Sequence, residues 1–210
     1  MRKLLLFAGI FMLVFSSLQA QTADRKLGVT LMGGANQYNG DHGNRIFAFG
    51  ERFYGYGALM LSYYISPSFN VALHGSTGDF GFRDDVQSFR GNKTDLDLLA
   101  IYKFNNGKIM DADSKYEPFV AAGIGMAGYH GREIPEVSWN GYRMNDFNIP
   151  VGLGFKYHFK EWLSFQYMFL YKFTDHDTRD GYLRPELDNG RKDRYVQQSL
   201  GATLNLSVLK

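Results

Sequence analysis

The sequence predicts an all-β fold, an eight-stranded antiparallel up-and-down β-barrel, and three features carry that expectation. After residue 20, apolar residues recur at every second position through about eight stretches, and the spacing of three and four that marks a helix is nearly absent. The connections between stretches take turns being short and long. The two faces of each stretch differ in size as well as polarity, bulky on one side and small or polar on the other.

The first twenty residues stand apart from this pattern. Arg2 and Lys3 precede an uncharged apolar run from Leu4 to Phe15, and Ser16, Ser17, Leu18, Gln19 and Ala20 follow. That is the layout of a secretory signal peptide. The run is about 12 residues, short of the roughly 20 that a helix needs to cross a bilayer. Residues 1–20 are therefore expected to be removed after Ala20, with Leu18 larger than the small residue preferred there, leaving residues 21–210 as one barrel domain.

Strands are predicted at 26–38, 53–65, 68–80, 93–104, 116–130, 146–159, 161–174 and 194–208. Ile65-Ser66-Pro67-Ser68 joins the second and third, and Lys160 with Glu161 joins the sixth and seventh. The connections 39–52, 81–92, 131–145 and 175–193 are long, and 105–115 is a longer polar turn on the short side. In an up-and-down barrel every second connection falls at one end, which matches short turns at one mouth and long loops at the other.

The faces then say which solvent each side meets. In the sixth strand Phe147, Ile149, Val151, Leu153, Phe155, Tyr157 and Phe159 oppose Asn148, Pro150, Gly152, Gly154, Lys156 and His158. The seventh sets Leu163, Phe165, Tyr167, Phe169, Tyr171 and Phe173 against Trp162, Ser164, Gln166, Met168, Leu170 and Lys172. The third and eighth repeat the contrast, with Asn70, Ala72, His74 and Ser76, and then Ser199, Gly201, Thr203, Asn205 and Ser207, on the small, polar face. Eight strands enclose a lumen just wide enough for side chains, so small and polar groups must fill it while bulky ones face lipid. A soluble ligand-carrying barrel would invert this. In a bilayer each unpaired peptide group costs several kcal/mol, and without helices only a closed sheet avoids that cost. Tyr63, Tyr64, Tyr102, Phe104, Tyr157, Phe159 and Trp162 gather near the short turns, as an interfacial girdle would.

Composition narrows the function classes. With no cysteine, neither a disulfide framework nor a thiolate metal site is possible. No stretch of the mature chain approaches eighteen apolar residues, which excludes a helical membrane protein. A net charge of +2 points to no polyanionic partner, and no Lys/Arg face suggests nucleic-acid binding.

Three stretches together resemble the transmembrane barrel of the outer-membrane protein A superfamily: Gly57-Ala58-Leu59-Met60-Leu61-Ser62-Tyr63-Tyr64-Ile65-Ser66-Pro67-Ser68-Phe69, Glu117-Pro118-Phe119-Val120-Ala121-Ala122-Gly123-Ile124-Gly125, and Ile149-Pro150-Val151-Gly152-Leu153-Gly154-Phe155-Lys156. The resemblance covers residues 26–210. It implies an eight-stranded barrel in a Gram-negative outer membrane with its N-terminus in the periplasm, and it implies no activity. Longer members carry a peptidoglycan-binding domain, whereas here the sequence ends at Lys210, just after the eighth strand, and lacks the terminal aromatic common in such barrels. Outer-membrane lipids including lipopolysaccharide, and the barrel-assembly machinery, are the implied partners, with the partner of the external loops unknown.

The strand phases put Lys103, Glu117, Lys156 and His158 inward near the periplasmic end as an ion-pair cluster, and Asp95, Asp97 and Lys172 inward toward the external side as a second. Asp175-His176-Asp177-Thr178-Arg179-Asp180-Gly181 fails the calcium-loop pattern because Arg179 takes the fifth position and the glycine comes one place late. Gly123-Ile124-Gly125-Met126-Ala127-Gly128 lies in a strand and is no phosphate loop; its glycines make room in the lumen. No catalytic, cofactor-binding or metal-ligating residue is expected. The function expected is an integral outer-membrane barrel with a structural or surface-interaction role and a polar lumen plugged by side chains, and not an enzyme. The alternatives are a narrow pore for ions or small solutes and a barrel hydrolase using Asp41, His42, His130, Asp175 or His176.

Overall fold

The computed structural model describes residues 26–39, 54–83, 88–133, 143–174 and 194–206. These form β1 (Leu27–Asn39), β2 (Tyr54–Tyr64), β3 (Phe69–Arg83), β4 (Ser88–Lys103), β5 (Tyr116–Glu133), β6 (Arg143–Lys160), β7 (Leu163–Thr174) and β8 (Arg194–Leu206). Each strand pairs antiparallel with its sequence neighbours, and β1 pairs with β8 from Leu27↔Leu206 to Asn39↔Arg194, closing the sheet. Closure removes both edges, so every strand has a ladder partner on each side. The expected strands are all present, and no described residue is helical.

The main departure lies between β3 and β4, where a long loop over 81–92 was expected. Pairing continues through Phe80↔Gly91, Gly81↔Arg90 and Phe82↔Phe89 to Arg83↔Ser88, leaving four residues between the strands. Two contacts hold this extension: outside, Asp79 accepts a hydrogen bond from Arg90, and inside, Phe80 packs edge-on against Tyr195 and Tyr129. Gly81 and Gly91 fell within the expected loop, and here they lie in strand. The expected loops at 39–52, 131–145 and 175–193, and the signal segment, fall largely or wholly outside the described residues.

At the opposite end the connections are short. Ile65–Ser68 closes with the Phe69 amide donating to the Ser66 carbonyl and hydroxyl, and Glu161 with Trp162 joins β6 to β7 after a bulge at His158 to Lys160. The longer turn after β4 is built by Asn106, whose Oδ1 accepts from the amides of Lys108 and Ile109, with Gly107 at a positive φ of 77°.

The outer wall carries the bulky face. Leu59, Leu61, Leu73, Leu96, Leu98, Ile124, Leu153 and Phe155 are all exposed, Leu153 by 56%. Twelve residue steps separate Phe147 from Phe159 on β6. At about 3.3 Å per residue and a tilt of about 40°, they span about 30 Å, enough for the roughly 25 Å apolar band of a membrane barrel. Near the short turns the rings touch in sequence: Phe69 on Tyr102 and Tyr102 on Phe104, then Tyr116 on Phe155 and Tyr157, then Phe159 on Phe165. Of the expected girdle, Tyr102, Phe104, Tyr157 and Phe159 thus take part in three separate groups of touching rings near that rim.

The lumen departs from expectation in its middle. Met32, Tyr56, Met60, Leu99, Ile101, Phe119, Met168 and Leu170 face inward and pack as a buried apolar cluster. The inner face is not uniformly small and polar: large apolar groups fit where facing strands supply glycine. The ring of Phe119 lies where a Cβ on Gly154 would stand, and Met32 where one on Gly201 would.

Candidate functional site

Two polar clusters flank this apolar layer. The one nearer the long loops centres on Asp95 and Asp97, which alternation along β4 aims inward two residues apart. Lys172 of β7 donates to Asp97 Oδ2 at 2.6 Å and lies 3.5 Å from Asp95 Oδ2. Lys93 Nζ is 3.0 Å from Asp95 Oδ2, and His74 Nδ1 is 2.9 Å from Asp97 Oδ2. Asp95 also accepts from the Tyr195 hydroxyl at 2.7 Å, from Ser76 Oγ at 3.0 Å and from Gln197 Nε2 at 3.0 Å, and Gln197 reaches on to Asn36. Both lysines, both aspartates and His74 are buried. Two cations against two carboxylates balance the formal charge, the arrangement buried ion pairs require. The ammonium of Lys93 additionally stands 3.0 Å from the centre of the Tyr195 ring.

The expected trio of Asp95, Asp97 and Lys172 is thus brought together. Lys93, His74, Ser76, Tyr195 and Gln197 were missed as members. His74 and Ser76 are the direct β3 partners of Asp97 and Asp95, so hairpin pairing carried that signal; the contacts of Lys172, Tyr195 and Gln197 depend on strand stagger across the lumen, which a linear sequence does not display.

At the short-turn mouth Glu117, Lys156 and His158 come together as expected, whereas Lys103 is buried nearby with no described carboxylate within 4.0 Å of its Nζ. Glu117 Oε1 lies 3.4 Å from Lys156 Nζ, and Oε2 lies 3.3 Å from His158 Nε2. Cross-strand pairing dictates this, since Glu117↔Lys156 is a direct β5–β6 pair. Lys103 is buried in the same quarter, its ammonium 4.6 Å from the centre of the Tyr64 ring. The other ring nitrogen of His158 lies 2.9 Å from Ser164 Oγ.

Serine, histidine and glutamate in line invite comparison with a hydrolytic triad. In that arrangement the serine bonds Nε2 and the acid bonds Nδ1. Here Ser164 meets Nδ1 and Glu117 meets Nε2, and Ser164 is 0% exposed. Of the rim residues considered for a hydrolase, His130 lies on β5 paired with Asn92 and Arg143, facing outward. Asp41, His42, Asp175 and His176 lie outside the described residues, as does the acidic stretch 175–181. Gly125 makes room in the lumen as expected, a Cβ there falling against Asp97 Oδ1, whereas one on Gly123 would fall against the Leu98 carbonyl oxygen in the β4 backbone, and Gly128 lies on the outward phase of β5. Among the described residues, no group of three or more His, Asp or Glu side chains is placed to hold a metal.

No family model matches the chain, and no curated protein matches it. Solved structures do. Neisserial surface protein A matches with a TM-score of 0.59 at 13% identity, covering 86% of this chain and 97% of that one. The N-terminal β-barrel domain of Pseudomonas aeruginosa OprF matches with a TM-score of 0.47 at 19% identity, covering 85% and 97%. OprG from the same organism matches with a TM-score of 0.48 at 10% identity, covering 90% and 100%. At such identities the likeness is one of fold. The chain has the closed eight-stranded antiparallel fold of outer-membrane β-barrels, as the resemblance to the outer-membrane protein A barrel implied.

Proposed function

We propose that this chain is an integral outer-membrane protein whose barrel is plugged by its own side chains, with a structural or surface-interaction role carried by the loops at its long-loop end. The observation that supports it most is the inversion of a soluble core: Leu, Phe and Ile line the outer wall while Lys93, Lys172, Asp95 and Asp97 are buried within. Burying four charges inside while exposing apolar chains outside is stable when the outside is lipid. The short turns then lie at the periplasmic mouth, together with the N-terminus of β1. Lipopolysaccharide and the assembly machinery are the partners this placement implies. The reversed Ser164–His158–Glu117 order supports a role without catalysis.

The test is to fold the mature chain from residue 21 into lipid vesicles and compare its gel migration with and without boiling. A compact unboiled band protected from protease supports the membrane barrel, and solubility as a monomer without detergent overturns it. Conductance across a planar bilayer separates a plugged barrel from the second reading, a narrow pore. The pore is favoured by one feature: Asp97 Oδ1, His74 Nε2 and both amide atoms of Asn148 are buried without a hydrogen-bond partner, and such groups take water.

A further inference from the structure

We propose that the short-turn mouth of the lumen binds a small oxyanion, a phosphate group, between the ammonium groups of Lys103 and Lys156 beside His158. The argument starts from charge. Glu117 is the carboxylate of this cluster, and both its oxygens are engaged, Oε1 with Lys156 and Oε2 with His158. Lys103 approaches from β4 with no described carboxylate within 4.0 Å of its Nζ, and the Tyr64 ring is the group it stands over. The remaining acids of this end, Asp111, Asp113 and Glu161, are exposed. Two lysines against one carboxylate leave a surplus of one positive charge, rising to two whenever His158 is protonated.

That surplus is local. The long-loop cluster, built from the same residue types in the same lumen, matches two lysines with two aspartates. A buried ammonium without a counter-charge is strongly disfavoured, so the mouth is short of an anion that the chain does not supply. Its place suits a ligand from solution. The cluster sits at the ends of β4, β5 and β6, and His158, its side chain 15% exposed, is its most solvent-accessible member. The available groups are N–H donors, which an oxyanion requires, and a phosphate of charge about −1.5 to −2 cancels the surplus. Ser164 holds the imidazole from its far side. The inference does not depend on whether the lumen conducts.

The experiment is calorimetric titration of the mature chain, folded in a non-ionic detergent, with inorganic phosphate, each variant first checked for heat-modifiable migration. The result expected is saturable one-to-one binding that weakens about tenfold or more in Lys103→Met, the worth of one charge-assisted hydrogen bond. Glu117→Gln removes the competing carboxylate and is expected to tighten binding severalfold. Arg90→Gln, on the outer wall at the other end, is expected to change nothing. A parallel titration with short-chain phosphatidylglycerol identifies the source: tighter binding than inorganic phosphate, lost in Lys103→Met, assigns the phosphate to a lipid headgroup, and the reverse assigns it to a free solute. Absence of saturable binding by either probe, or wild-type binding in Lys103→Met, overturns the proposal.

Discussion

Lys172→Met isolates the electrostatics of the long-loop cluster, because methionine keeps most of the aliphatic stem and removes the ammonium. That ammonium lies 2.6 Å from Asp97 Oδ2 and 3.5 Å from Asp95 Oδ2, with all three side chains 0% exposed. At an effective dielectric of about 20 the two attractions are about 6 and about 5 kcal/mol, largely offset by the several kcal/mol of taking an ammonium out of water. The net loss expected is about 3–5 kcal/mol, the range for removing one partner of a buried pair. Asp95 retains Lys93, Tyr195, Ser76 and Gln197, so the damage concentrates on Asp97, left with His74. The double variant Lys172→Met/Asp97→Asn restores the balance of one cation to one carboxylate. It should recover about 2 kcal/mol or more of the summed single losses, read as a coupling energy from urea unfolding of the barrel in vesicles followed by tryptophan fluorescence. A single variant within about 0.5 kcal/mol of wild type, or losses that simply add, would refute the reasoning that this lysine is held by its two aspartates.

Two further expectations follow from the same structure. Leu153→Arg places a cation midway along the outward-facing row of β6 and should cost about 2–4 kcal/mol, whereas Phe159→Arg at its end should cost about 0–1 kcal/mol; equal losses in the same unfolding assay would mean that the outer wall does not face a bilayer. Gly123→Ala drives a methyl group against the Leu98 carbonyl oxygen and should destabilise by about 1–3 kcal/mol, while Gly57→Ala meets nothing within 4 Å and should be neutral or stabilising by about 0.5–1 kcal/mol. The reverse order, measured by the temperature at which heat-modifiable migration is lost, would show that the close approach of β4 and β5 is not as described.

Strand phase was legible because alternation has a period of two and each residue carries its own size. Glu117, Lys156 and His158 could be placed together since they lie on sequence-adjacent strands, where pairing follows from a hairpin. Lys103 could be placed inward from β4 in the same way, but not its surplus charge, which depends on what the Tyr64 ring and the ends of three strands leave unmatched. The extension of β3 and β4 was hidden because Gly81 and Gly91 are turn formers locally, and the ladder that overrides them is flanked by the contacts of Asp79 with Arg90 and of Phe80 with Tyr195.

The sequence by itself determined the architecture: eight strands, their order, and which face of each carries the bulky apolar residues. Those properties are set residue by residue or between neighbours in the chain, where pattern and turn chemistry act. Only the tertiary structure decided what meets across the lumen. That Lys172 of β7 and Tyr195 of β8 converge on Asp97 and Asp95 of β4, and that a buried apolar cluster including Leu99 and Ile101 lies between the two charge clusters, follows from stagger and closure. Stagger is a collective property of all eight pairings, and no single segment carries it.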